Sequence, residues 1–238
     1  MSTLNEIFGE IKPKNKNSSS KMTILFGKNG SGKTTLASTC SEIGETLLIN
    51  FENRVACINE SDTLRILPRS EGEFRQDKKM SYQNFLKFVT FVETKYQPYY
   101  IILDTLDAMF DTFLKGMLAS GEISDAFYGR SAVYDKIFVC LNRLKDTGVN
   151  LILTSQCLKS ETFGVVDVAV VEKLANKINP ITDNKFFLKA TDDDNRVLCL
   201  KANNQLECKL SVEKDVYNSV PKDLQNPTWK DVEEACGW

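Results

Sequence analysis

Gly27-Lys28-Asn29-Gly30-Ser31-Gly32-Lys33-Thr34 follows the short apolar run Met22-Thr23-Ile24-Leu25-Phe26 and precedes a stretch with helical character, Lys33 to Glu42. The octapeptide fits G-x-x-x-x-G-K-[ST] without a mismatch, and it has the strand before and the helix after that this spelling requires. The glycines let successive backbone N–H groups converge on phosphate oxygens, and the helix N-terminus adds its positive end. Lys33 is placed to reach the β- and γ-phosphates, and Thr34 to bind Mg²⁺. Gly27, Lys28, Asn29, Gly30, Ser31, Gly32, Lys33, Thr34 and Thr35 are therefore the expected nucleotide cradle. Such a loop reads phosphates and not the base.

Working outward, Thr46 to Phe51 (TLLINF) reads as a second buried strand, Tyr99 to Leu103 (YYIIL) as a third ending at Asp104, and Val149 to Thr154 (VNLILT) as a fourth. Ser81 to Lys95 is amphipathic at helix spacing. Phe110 to Asp146 is helical in pattern, with Val133, Ile137, Val139, Cys140 and Leu144 as its repeat. Strands alternating with helices predict an α/β fold, a P-loop NTPase with a central, mostly parallel sheet flanked by helices. Lys185 to Ala190 and Arg196 to Leu200 alternate like an antiparallel hairpin around Asp192-Asp193-Asp194-Asn195, an acidic run that reads as a solvated turn.

Phosphate chemistry needs two further groups. A carboxylate at the end of a neighbouring strand holds magnesium through its water shell, and Asp104 closes its apolar run as such a residue should. A second group must orient or deprotonate water. The chain has no histidine, which removes imidazole bases, His triads and His-ligated metals, and leaves Glu52 at the end of the second strand as the best-placed base. Asp107 is expected to be a solvated or capping residue.

Composition bounds the rest. With 238 residues, one core and an appendage are expected, and 42% hydrophobic with 26% charged residues excludes a largely disordered chain. Thirty Lys+Arg against 32 Asp+Glu give a net charge of −2, so any nucleic-acid contact must come from a local patch rather than bulk charge. Seven cysteines with no CxxC pair argue for reduced thiols over disulfides or zinc. No window approaches the roughly 18 apolar residues of a membrane span, so no membrane contact and a soluble, cytoplasmic protein are expected. The boundaries expected are an N-terminal helix and polar linker over 1–21, a core over 22–204, and an acidic tail with a short helix over 205–238. That last part carries four Lys against seven Asp and Glu.

The P-loop, the acid Glu52 after the second strand, Asp104 ending YYIILD and Thr154-Ser155-Gln156 ending the next strand together resemble the RecA-like ATPase core. Size, the Phe51-Glu52-Asn53 segment, Ile102 to Met109 and the Pro227-Thr228-Trp229 element are similar to the small RecA-like ATPases of bacteriophages, grouped with single-strand annealing proteins. The resemblance implies ATP and Mg²⁺ as cofactors, Lys33, Glu52, Asp104 and Gln156 as catalytic residues, and Thr34 and Asp104 at the metal. It implies single-stranded DNA as partner with residues 157–180 beside it, a homo-oligomeric ring or filament, an accompanying single-strand-binding protein, and the host cytoplasm as location. Arg196 and Lys201 then become candidates for a basic finger reaching a neighbouring subunit's site. Thr105 after Asp104 departs from the Asp-Glu pair of transporter-type and many AAA+ ATPases. Two other classes use the same loop: a small-molecule kinase, which usually needs an Arg-rich lid where this chain has seven scattered Arg, and a nucleotide-gated interaction module with slow hydrolysis.

Overall fold

The computed structural model describes residues 20–52, 58–68, 79–159, 166–168, 172–191, 193 and 195–238. The run before the glycine loop is strand β1 (Met22–Gly27), buried at every position, as expected of a strand covered on both faces. Around it lie β2 (Thr46–Asn50), β3 (Leu64–Leu67), β4 (Tyr100–Asp104), β5 (Asn150–Lys159), β6 (Val166–Val168), β7 (Asn184–Ala190), β8 (Arg196–Cys199) and β9 (Asp223–Gln225). The sheet order is β3-β2-β4-β5-β1-β7-β8-β9, with β6 paired to β5 off this path. From β3 through β7 every neighbour is parallel, and β8 and β9 continue antiparallel. The four strands expected before residue 155 are all present within a few residues of their expected ends, and so is the late hairpin.

Parallel strands require crossovers, and the helices supply them on both faces. They are α1 (Lys33–Ser38), α2 (Tyr82–Thr94), α3 (Leu106–Ala119), α4 (Arg130–Asp146), α5 (Glu172–Ile178), α6 (Lys214–Ser219) and α7 (Trp229–Cys236). One face packs Ile24, Phe26, Ile101 and Leu103 against Phe85, Phe88 and Phe91 of α2, Phe113 of α3 and Ile137 of α4. The other packs Leu25, Leu48 and Ile102 against Leu36 of α1 and Trp229 of α7. Adjacent residues of each strand thus serve opposite cores, the consequence of a two-residue side-chain period. Ser81 caps α2 by accepting from the Asn84 N–H at 3.2 Å.

The single helical stretch expected from Phe110 to Asp146 is two helices. Gly121 takes a left-handed φ of 75° just beyond α3, and Asp125 Oδ1 accepts from the N–H groups of Phe127 and Tyr128 at 2.7 and 2.9 Å, holding a turn that breaks the run. Val133, Ile137, Cys140 and Leu144 are buried as read, whereas Val139 is 47% exposed, one step off the buried stripe. Residues 205–238, read as an acidic tail, add β9 to the sheet and seat α7 on it. Trp229 is 1% exposed, its indole N–H donates to the Tyr100 hydroxyl at 3.2 Å and its backbone N–H to Thr39 Oγ1 at 2.7 Å. Thr228 and Asp231 form a capping box at the start of this helix.

The N-terminal helix expected before residue 20, Asp192 and Asp194 lie outside the described residues; Asp193 is exposed. Six cysteines are free thiols, Cys57 lying outside the described residues. Among the described residues no helix is long and apolar enough to cross a membrane.

Candidate active site

All the groups singled out for phosphate chemistry come from the C-terminal ends of neighbouring parallel strands. The loop after β1 turns into α1 through Gly30 and Gly32, at φ of 77° and 87°, backbone that L side chains rarely adopt. A Cβ on Gly27 would stand 2.2 Å from the Leu188 carbonyl oxygen of β7, so this glycine lets β7 run close beside β1. Ser31 Oγ is buried and makes no hydrogen bond. Buried hydroxyls are rarely left unpaired, and one inside a glycine-rich loop suits a phosphate oxygen.

Lys33, 8% exposed, donates from Nζ to the carbonyls of Gly27 and Lys28 at 3.0 and 2.9 Å. Burial lowers its pKa, while the carboxylates of Asp104, Glu52 and Asp107 act in the opposite sense. Thr34 Oγ1 donates to Asp104 Oδ1 at 3.0 Å, so the two residues read as metal ligands already face each other. Asp104 is 1% exposed and accepts a second bond, from Thr154 Oγ1 at 2.5 Å. Burial raises its pKa, opposed by those two hydroxyls and by Lys33 and reinforced by Glu52. Among the described residues no group of three or more Cys, Asp or Glu converges on a point. That donor set fits magnesium, which keeps several waters and takes one or two protein oxygens plus phosphate, and it does not fit a fully protein-ligated metal.

Asn50 pairs with Asp104 across β2 and β4, and the Phe51 N–H bonds the Asp104 carbonyl at 2.8 Å. This register delivers Glu52 to the site, where Thr105 Oγ1 donates to Glu52 Oε1 at 2.7 Å. Gln156 stands opposite Gly27 in the β1–β5 register, beside the phosphate loop. Lys33, Thr34, Glu52, Asp104 and Gln156 are therefore brought to one edge of the sheet.

Three participants escaped the sequence reading. Thr154 binds Asp104, and Thr105 holds Glu52 while capping α3 through the Ala108 N–H at 3.4 Å. Asp107, expected to be solvated or a simple cap, instead accepts from Ser155 Oγ and the Gln156 N–H, both at 3.2 Å, and burial raises its pKa. It thus fixes β5 at the last residues that pair with β1. Thr105 next to Asp104 and Thr154 two residues before Gln156 were the available signal, since polar side chains ending buried strands need partners.

Lys28, Asn29 and Gly30 are exposed, and Thr35 is half-buried on α1. The two finger candidates lie differently. Arg196 crosses the phosphate loop of its own chain, its Nε 2.3 Å from where a Cβ on Gly32 would stand. Lys201 donates to the Val220 carbonyl at 2.5 Å and lies 4.6 Å from the Tyr217 ring centroid.

Since Thr105 orients Glu52 through one charge-assisted hydrogen bond, Thr105→Ala is expected to lower nucleoside-triphosphate turnover about tenfold. Thr105→Ser should restore most of it. Steady-state kinetics check this, and a loss appearing in KM alone would mean that Thr105 serves binding instead.

A family model described as an AAA domain matches residues 19–211, most of the chain. No curated protein matches it. The missing acid after Asp104 has a physical counterpart, because the residue in its place, Thr105, hydrogen-bonds a carboxylate delivered from the end of β2.

Proposed function

The chain belongs to the AAA-domain family of P-loop ATPases, and on that premise we propose that it hydrolyses ATP with Mg²⁺ to act on single-stranded DNA, in recombination, annealing or replication. The observation that carries the hydrolytic part is the meeting of Lys33, Thr34, Glu52, Asp104 and Gln156 at one sheet edge. Lys33 and the loop N–H groups bind the phosphates. Thr34 and Asp104 would hold magnesium, which supplies charge neutralisation at the phosphates when bound. Glu52 takes the proton of the attacking water, and Gln156, opposite Gly27, would meet the γ-phosphate.

The DNA part is supported by what leaves this edge. β5 runs past Gln156 and pairs over Cys157–Lys159 with β6 as a separate antiparallel ribbon. Gln156 thus joins the nucleotide site to the segment that the resemblance places beside DNA. Phe127 and Tyr128, in the turn between α3 and α4, are 73% and 84% exposed. Tyr82, at the start of α2, bonds Glu122 in that same turn at 2.9 Å, while Met80 bonds Asn50 at the end of β2. Those contacts set the turn at the C-terminal end of the strands, the end from which the nucleotide loop also leaves. Exposed rings are the groups on which unpaired bases stack.

The test is ATP hydrolysis by the purified full chain with and without single-stranded DNA, with Lys33→Ala as blank and duplex DNA as competitor. Turnover should rise with single strands, less with duplex, and not in Lys33→Ala. Tight ATP binding with no stimulation would overturn the DNA reading and favour a kinase or a nucleotide-gated module.

A further inference from the structure

We propose that the groove between α1, the β7–β8 pair and the Asn226–Pro227 turn seats the nucleobase, that Arg196 of the same chain covers it, and that this seat does not distinguish adenine from guanine. The inference rests on the nucleotide-binding reading above and deepens it.

The direction of the bound nucleotide follows from strand order. Glu52 just beyond β2, Asp104 on β4 and Gln156 on β5, which would meet the γ-phosphate, all stand to one side of β1. A triphosphate with its γ end there leaves the loop on the other side, over β7 and β8. With strands about 4.8 Å apart, β8 lies roughly 10 Å from β1, about the reach from the loop to a base. At that place the protein has a small groove, with a volume of about 80 Å³, bordered by Thr35, Leu36, Thr39, Leu188, Asn226 and Pro227 and by Arg196. Its size admits part of a base, the remainder staying in solvent.

The groove has few hydrogen-bonding groups left to read a base edge. Thr39 Oγ1 donates to the Leu36 carbonyl and accepts from the Trp229 N–H, both at 2.7 Å. Asn226 Oδ1 accepts from the Arg196 N–H at 2.7 Å, and its Nδ2 donates to Asn195 Oδ1 at 2.8 Å. Leu36, Leu188 and Pro227 contribute apolar surface. What remains are the Thr35 hydroxyl, which can donate or accept and so suits either purine, and the Arg196 guanidinium, which lies against Gly32 and forms no ion pair with a described residue. A guanidinium is planar and stacks on any aromatic face, so it holds a purine without identifying it. A Cβ on Gly32 would push the Arg196 side chain aside. Arg196, expected from the sequence to reach a neighbour's site, is thereby assigned to its own.

The test compares the dissociation constants of Mg·ATP, Mg·GTP and Mg·tripolyphosphate for the full chain, by calorimetry, in wild type, Arg196→Ala and Arg196→Lys. ATP and GTP should bind within about threefold of each other, and each about tenfold more tightly than tripolyphosphate. Arg196→Ala should bring both nucleotides down by the same factor towards tripolyphosphate, with Arg196→Lys between. A purine preference of about tenfold or more in wild type would overturn the unselective seat, because one read hydrogen bond gives that much. Equal weakening of tripolyphosphate in Arg196→Ala would overturn the base contact and assign Arg196 to phosphate. Binding of neither nucleotide nor tripolyphosphate would instead remove the nucleotide reading itself, so the two failures are distinguishable.

Discussion

Glu52→Gln is expected to leave ATP binding within about threefold of wild type and to lower hydrolysis about 10²- to 10⁴-fold, the range a positioned general base supplies. The substitution is nearly isosteric. Its carboxamide oxygen still accepts the Thr105 Oγ1 hydrogen bond seen at 2.7 Å to Oε1, so the side chain stays in place. A carboxamide cannot take a proton from water, and only that step is removed. Binding rests on the glycine loop and Lys33, which Glu52 does not touch. Equilibrium binding and single-turnover hydrolysis separate the two. Normal turnover in Glu52→Gln would displace the base, and the carboxylate to examine next is Asp107, which is tied to Ser155 and Gln156 of β5 beside the phosphate loop. Loss of turnover in Asp107→Asn but not in Glu52→Gln would reassign the role.

Glu52 also shows what a sequence can and cannot disclose. Its place after a buried strand is visible in TLLINF, since apolar runs bounded by polar residues mark strands of a parallel sheet. The strand's neighbours are not visible. That β2 lies next to β4, and that Asn50 aligns with Asp104, are long-range pairings with no local signal, and they decide whether Glu52 meets the phosphate loop. The same holds for Arg196. Its position on a hairpin was readable from alternation, but β7 packing against β1 through Gly27 turns that hairpin towards its own nucleotide loop. β3 was missed because Leu64 to Leu67 contains an arginine and stands at the sheet edge, where burial on both faces is not required. The C-terminal segment was read as a tail because its surface charge dominates its composition. Trp229, one residue with 1% exposure, ties it to Tyr100 and Thr39. Thr105 and Thr154 were passed over for a related reason: an isolated threonine carries no pattern, and its role exists only once two strand ends are side by side.

Asp104→Asn is expected to abolish most hydrolysis while making the ligand-free protein more stable. Asp104 is 1% exposed, and burial raises its pKa, the leading cause, against the opposing Thr154 and Thr34 hydrogen bonds. A carboxyl whose folded pKa lies above its unfolded value binds its proton more tightly in the folded state. Stability therefore falls as pH rises from the unfolded pKa through the folded one, and the full cost is reached above both. Asparagine has the same shape, keeps an oxygen for the two threonine hydroxyls and carries no charge. Removing a buried charge should therefore raise the unfolding midpoint of the ligand-free protein. Function moves the other way. Without the negative oxygen opposite Thr34, magnesium would keep the Thr34 hydroxyl but lose the charge that holds its water shell, and hydrolysis should fall at least about 10²-fold. Adding Mg·ATP should then invert the order of stability, because a ligand stabilises only the state that binds it, and wild type gains more than the variant. Thermal unfolding of both proteins, with and without Mg·ATP, gives four midpoints that check this. A ligand-free Asp104→Asn less stable than wild type would mean that the Thr34 and Thr154 bonds to a full charge outweigh its desolvation. Asp104 would then be a structural anchor of the loop as much as a functional one.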